Sequence, residues 1–435
     1  MENEKQIETR VRELMYRNIK AGISRYLKEE YCYVMPSPGN YPFQWWWDTF
    51  FNIFTLCALR SNGDLELAKR NFETIFMKQR EDGFVGHMIF WERAFPVSML
   101  NVLQGPPKFY RLRPHMSSLI QPPLAAQALW CIYNCTQDKY FLVQMLPAVK
   151  KYFNWLQKNR DFDGDGLLYI ISPFESGVDW KPSFDEVLGL QRAKATELLF
   201  KKVMRVEWRN FLHGYDYKKI ARANYFKVKE VLFNTLYALD MKSLAQLCYE
   251  ANDSDAMKYQ NLAERVSSRI MEIMYNDEDA AFYDVYGENN IQLKSLTFSI
   301  GIPLLLDEVS QETGTEILQR HFLNKEEFNL TFSIPSTAKS DPAFVPTESK
   351  FLWRGPTWIP SNWWMHRCYL KYGMMKEANH LIEITLRLIE KNGFREYYHP
   401  LTGEGYGAKD FTWGGLVIDM MQRQKTFENV STRIH

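Results

Sequence analysis

Apolar residues recur at three- and four-residue steps over most of this chain, the period of helices that bury one face. In 64–80, Leu65, Ala68, Phe72, Ile75 and Phe76 share a face, and Asp64 reads as the cap. In 256–274, Met257, Tyr259, Leu262, Ala263, Val266, Ile270 and Ile273 do the same. In 374–392, Ala378, Leu381, Ile382, Thr385, Leu388 and Ile389 line a face, and Gly393 stops the helix as its C′ residue. Similar spacing predicts helices at 4–29, 48–60, 121–136, 138–159, 187–207, 226–250, 291–306, 312–323, 358–371 and 412–423. The best strand candidate is the alternating run FNLTFSIPS at 328–336. Between the helices lie Gly/Pro/aromatic loops at 35–47, 81–91, 104–120, 161–186, 338–357 and 393–411, and no low-complexity linker divides the chain. The expectation is one all-α domain over 1–435 whose loops collect at one end. A toroid of helix hairpins suits this, and periodicity alone does not separate it from a bundle or a solenoid. No repeat at a fixed period supports the solenoid.

Composition narrows the partners. The 435 residues are 46% hydrophobic, and 53 basic residues nearly balance 52 acidic ones. Such balance leaves no electrostatic footprint for nucleic acid or an anionic membrane. The N-terminal MENEKQIETRVREL has no apolar h-region. No apolar run approaches the roughly 20 residues that span a bilayer. The six cysteines sit mostly in helical patterns, with Cys131 and Cys135 four apart, and read as free buried thiols of a reducing cytosol. A cytoplasmic protein is expected, and a homo-oligomer stays open. Aromatics are the anomaly: they make up 15% of the chain, and several of the 13 Trp stand beside polar residues in Gly/Pro-rich stretches.

Those stretches carry the candidate chemistry. In NYPFQWWWDTFFN (40–52), Tyr41, Trp45 and Trp47 precede Asp48, an aromatic wall beside a carboxylate that suits the apolar face and hydroxyls of a sugar; a helix N-cap is the plainer reading of Asp48. His87 follows a turn signal and reads as structural. Gln121 precedes Pro122-Pro123, which open a helix. Asp161, Asp163, Asp165 and Gly166 match the opening of a calcium loop, but its twelfth position is Ser172, so the segment reads as a tight turn. In SPFESGVDWKPSFDEV (172–187), Glu175, Asp179 and Asp185 are candidates for a general acid, and Trp180 is placed to desolvate Asp179. In FLWRGPTW (351–358), Trp353 and Trp358 flank Arg354, which suits either a loop carboxylate or a substrate anion. In FREYYHPLTGEGYGA (394–408), Glu396 and Glu404 compete for the role of base. Two carboxyl groups facing each other across one bond are what glycoside hydrolysis requires.

The segments QWWWD, QPPLAAQALW, FESGVDW, WRGPTW and FREYYHPLTGEGYGA, in this order, resemble the signature of glycoside hydrolase family 63, and in size this chain is most similar to its compact mannosylglycerate and glucosylglycerate hydrolases. The resemblance implies an (α/α)6 barrel and inversion at an α-linked sugar, with Asp179 as general acid and Glu396 as general base. It makes Tyr41, Trp45, Trp47 and Asp48 walls and hydroxyl acceptors of the first sugar subsite, and Gln121, Trp353 and Trp358 further substrate-binding residues. One departure stands out: Leu352 occupies a position where an aromatic is expected.

The expected function is therefore hydrolysis of a small α-glycoside, foremost 2-O-α-mannosylglycerate or 2-O-α-glucosylglycerate, with no cofactor and no metal. Arg222 and Arg354 are the cations considered for the glycerate carboxylate. Neutral α-glucosides are the second choice of substrate. From other classes come a non-catalytic sugar-binding toroid and an isomerase or epimerase; the latter would use paired His, for which His87, His115, His213 and His399 show no pattern.

Overall fold

In the computed structural model, which describes residues 4–25, 28–92, 103–104 and 116–434, helices alternate between an outer and an inner layer. The outer helices are α1 (Glu4–Arg17), α3 (Asn62–Phe76), α5 (Lys139–Arg160), α7 (Ala256–Ile273), α8 (Gln311–Ile317) and α10 (Met375–Asn392). The inner ones are α2 (Trp46–Leu59), α4 (Ala125–Thr136), α6 (Val231–Ala251), α9 (Ile359–Lys371) and α11 (Leu416–Ile434), with the 3-10 segment Phe298–Leu305 between α6 and α9. Each inner segment packs on the next, and α11 returns to pack on α2, so the ring closes into an (α/α)6 toroid.

The two layers follow from their side chains. Every residue of α2 is buried, and α6 is buried over most of its length, as befits helices enclosed on all sides. The outer helices α7 and α10 bury a single stripe. α3 starts with a capping box in which Ser61 is the cap and Asp64 closes it from the third position, also pairing with Arg12. Asp64 is thus the reciprocal partner rather than the cap. Gly393, at φ 71°, stops α10 as expected, though as the C-cap itself rather than as the C′ residue.

Several predicted boundaries move. The first helix stops at Arg17, and Ile19–Ile23 and Glu30–Val34 form an antiparallel hairpin. Residues 187–207 divide between a short turn of helix, Phe184–Val187, and a helix at Glu197–Leu212. At 291–306 a short strand, Ile291–Leu293, precedes the 3-10 segment, whose Pro303 lacks the N–H an α-helix requires. Residues 328–336 form no strand; only an isolated bridge from Pro335 to Thr357 remains, because the run's backbone groups bond into loops around 357 and 400. Among the described residues no helix is long and apolar enough to cross a membrane.

Candidate active site

The candidate residues converge where the inner helices begin. α2 starts at Trp46 and places Asp48 in its first turn; Trp358 immediately precedes α9, and Trp413 lies three residues before α11. Asp48 is not the N-cap, since Trp45 occupies that position without a side-chain cap. Gln121 stands in an irregular segment four residues before α4, not on a helix. Its Oε1 accepts the Trp47 backbone N–H at 3.3 Å, so it satisfies an orphan donor of the neighbouring helix.

Aromatic rings build the walls. Tyr41 meets Trp45 edge-on at 5.9 Å, and Trp45 meets His87 at 5.5 Å. Trp47 crosses Trp413 at 5.4 Å and faces Trp353 at 6.3 Å. Trp353 stacks on Trp358 at 4.0 Å, and Trp358 in turn on Tyr397 at 4.8 Å, so Trp358 forms a second layer behind Trp353. Trp353 holds a φ of 63°, a left-handed conformation that costs a bulky residue energy and that this stacking maintains. Gly177 has a φ of 74°, and a Cβ there would stand 2.6 Å from the Trp47 indole. Only glycine lets the loop carrying Asp179 approach Trp47 this closely.

Two buried ion pairs fix that loop. Glu175 is fully buried, pairs with Arg160 through both oxygens, and accepts N–H bonds from Ile120 and Ile171. It therefore ties the Asp179 turn to the segment bearing Gln121. Asp185 takes a fork of bonds from Arg354 at 3.0 and 2.5 Å, and Arg354 also donates to the carbonyls of Trp180 and Ala193. Of the two roles open to Arg354, the structure shows the loop pairing. Arg222 is exposed at the end of the helix Tyr217–Ala223. Lys181, two residues past Asp179, is buried between Glu230 and Asp284.

The carboxylates differ in environment. Asp179 is half-buried, and its carboxyl bonds to no other residue among those described. Burial pushes it up to about 7, with the charge of Glu396 adding to the effect. Glu396 is raised by burial and pulled back by hydrogen bonds: Tyr41 donates to Oε1 at 2.6 Å and the Ala408 N–H to Oε2 at 2.8 Å. Asp48 is pushed up to about 8, mostly by burial, with Glu396 and Asp179 contributing. Glu404 is exposed and bonds to Tyr406.

The remaining motifs support this cluster from behind or fall outside it. His87 is buried, forms a hydrogen bond of 2.5 Å between its Nδ1 and Ser117 Oγ, and is depressed to about 3 by burial, which keeps it neutral. His115 lies outside the described residues. In the Asp161 turn, the Lys229 ammonium sits 2.9 Å from Asp163 and 2.7 Å from Asp165. Two residues were missed. Trp413 read only as part of a predicted helix, yet it packs on Trp47, Trp353 and Trp358. Glu207, raised by burial to about 8, bonds with Ser172 beneath the Asp179 loop; its place in an amphipathic helical run gave no signal.

Known proteins are similar to this chain in sequence and fold. Residues 41–414 match the family model described as the mannosylglycerate hydrolase MGH1-like glycoside hydrolase domain. A mannosylglycerate hydrolase of Thermus thermophilus is 28% identical over 419 residues, covering 89% of this chain and 95% of that protein. A glucosylglycerate hydrolase of Mycolicibacterium hassiacum is 24% identical over 425 residues, covering 88% and 92%. Among solved structures, a GH63 mannosylglycerate hydrolase from Thermus thermophilus in complex with glucose superposes with a TM-score of 0.80 at 25% identity, covering 96% of this chain and 100% of that one.

Proposed function

Because this chain belongs to the mannosylglycerate hydrolase MGH1-like glycoside hydrolases of family 63, we propose that residues 1–435 form one catalytic domain that hydrolyses 2-O-α-mannosylglycerate or 2-O-α-glucosylglycerate with inversion. Asp179 protonates the glycosidic oxygen. Glu396 takes a proton from water, which attacks the anomeric carbon from the opposite face of the sugar. Products are the free sugar and glycerate.

The observation that carries this reading is the contrast between the two carboxyl groups. Asp179 sits at about 7 and keeps its proton near neutrality, as a general acid must. Glu396 accepts two hydrogen bonds that favour its charged form, as a base requires. Tyr41, Trp45, Trp47 and Asp48 hold the sugar, with Gln121 and Trp353 beside them and Trp358 in support. The two glycerate-hydrolase relatives support the choice of leaving group.

One assay tests both parts. The mannosyl and glucosyl glycerates and neutral disaccharides of the kojibiose and trehalose type are hydrolysed side by side and followed by proton NMR. The expected result is preferential glycerate release with the β-anomer appearing first. Initial α-anomer would overturn inversion, and preference for a neutral disaccharide would overturn the substrate.

A further inference from the structure

Cys57 on α2 and Cys131 and Cys135 on α4 bring three sulfurs within 4.8 Å of one another. The four-residue spacing puts Cys131 and Cys135 on one face of α4, and the neighbouring inner helix supplies the third thiol. Cys57 lies nine residues beyond Asp48, about 13 Å along the helix axis, towards the opposite end of the barrel. There the inner segments line an open cavity of about 710 Å³, and all three cysteines border it.

We propose that Cys57, Cys131 and Cys135 form a three-thiolate site for one thiophilic divalent cation of the zinc class, at the barrel end opposite the carboxylates. Metal–sulfur bonds of about 2.3 Å place three sulfurs roughly 3.8–4.0 Å apart around one ion. Closing from within 4.8 Å to that spacing takes shifts of about 1 Å. On binding, three S–H protons leave to solvent and three metal–sulfur bonds form, so the complex carries a net charge of −1. Arg60, Arg367 and Arg423 line the same cavity and complement that charge. Asp419, the acidic residue lining it, is already held by Arg423 and the Trp363 indole. The cavity leaves a fourth position open for water or a small ligand, as in zinc sites with three protein ligands.

The test titrates the reduced full-length protein with Cd²⁺, a soft probe for zinc sites, and follows the thiolate-to-metal charge-transfer band. Saturation at one ion per chain is expected, and Zn²⁺ should displace it. Cys135→Ser and Cys131→Ser should each weaken binding by more than the roughly 10–100-fold lost with an outer-shell partner. Cys32→Ser, on the strand Glu30–Val34 against Thr74 and outside the trio, should leave it unchanged. Circular dichroism and glycosidase activity verify folding of each variant. Should a variant fail to fold, bound Cd²⁺ in the wild-type protein should protect Cys131 and Cys135 from alkylation, read by peptide mapping. No band in the reduced protein, a band equally strong in Cys135→Ser, or unprotected Cys131 and Cys135 would each overturn the site.

Discussion

The Tyr41 hydroxyl donates a 2.6 Å hydrogen bond to Oε1 of Glu396, a residue 355 positions away in the chain. The Ala408 N–H holds the other oxygen at 2.8 Å. Both bonds stabilise the carboxylate against the burial that raises it. Tyr41→Phe removes one of them and leaves the ring packing on Trp45 and Phe411. A hydrogen bond to a charged group is worth about 1.5–3 kcal/mol, so kcat/KM should fall about 10- to 100-fold. The acid limb of the pH profile should move to higher pH, since Glu396 then protonates more readily. A profile that keeps its acid limb in place would detach Tyr41 from the base.

The wild-type profile should itself be bell-shaped. Glu396 must be ionised, and its raised value sets the acid limb above the ordinary 4.5. Asp179 must be protonated, so activity should decline as pH rises through about 7. Asp179→Asn and Glu396→Gln should each cut kcat by roughly 10²–10⁴-fold, the usual worth of a general acid or base, with unchanged circular dichroism. Near-normal turnover in either variant would remove that residue from its role.

How much of this was visible in the sequence depended on the layer. The three helices predicted with the clearest stripes, at 64–80, 256–274 and 374–392, are all outer helices, with one face in water. Inner helices such as α2 are buried on all sides, and a stripe cannot show where every face is apolar. The segment Phe298–Leu305 fell inside the helix predicted at 291–306, but its 3-10 form, which follows from Pro303, did not show in the apolar spacing. Asp179 and Glu396 stood out because glycines and aromatics surround each in the sequence, although Glu396 lies on a short strand, Arg395–Tyr398, that pairs with Gly405–Lys409 rather than in the loop predicted at 393–411. Their supports did not: nothing local in the sequence pairs Arg160 with Glu175, or Asp185 with Arg354 169 positions away. The Cys57–Cys131–Cys135 cluster was equally hidden, since its third member comes from another helix.

The buried Arg354–Asp185 pair makes a prediction about positioning. Asp185→Asn leaves the Arg354 guanidinium buried without its counter-charge, a loss of about 3–5 kcal/mol for pairs of this kind. The melting temperature should fall, and kcat should fall with it, because Arg354 also grips the Trp180 carbonyl next to Asp179. An Arg354→Met/Asp185→Leu double variant should recover part of the stability, since an apolar pair needs no counter-charge. Recovered stability with kcat still depressed would separate loop positioning from general destabilisation.

Asp48 carries the clearest trade between stability and function. Its folded value, about 8, lies above the ordinary 3.8, mostly through burial. The folded state therefore holds a proton that the unfolded chain releases. The stability from that proton is complete below about 3.8 and is lost as pH rises towards 8. Asp48→Asn keeps the shape and removes this dependence. Relative to wild type, its melting temperature should gain more at pH 8 than at pH 5, measured by calorimetry in matched buffers. Turnover should drop at both pH values, because an amide NH2 that only donates replaces one of the two carboxyl oxygens facing the sugar hydroxyls. A gain that is equal at the two pH values, or larger at pH 5, would show that Asp48 is not the group whose proton the fold retains.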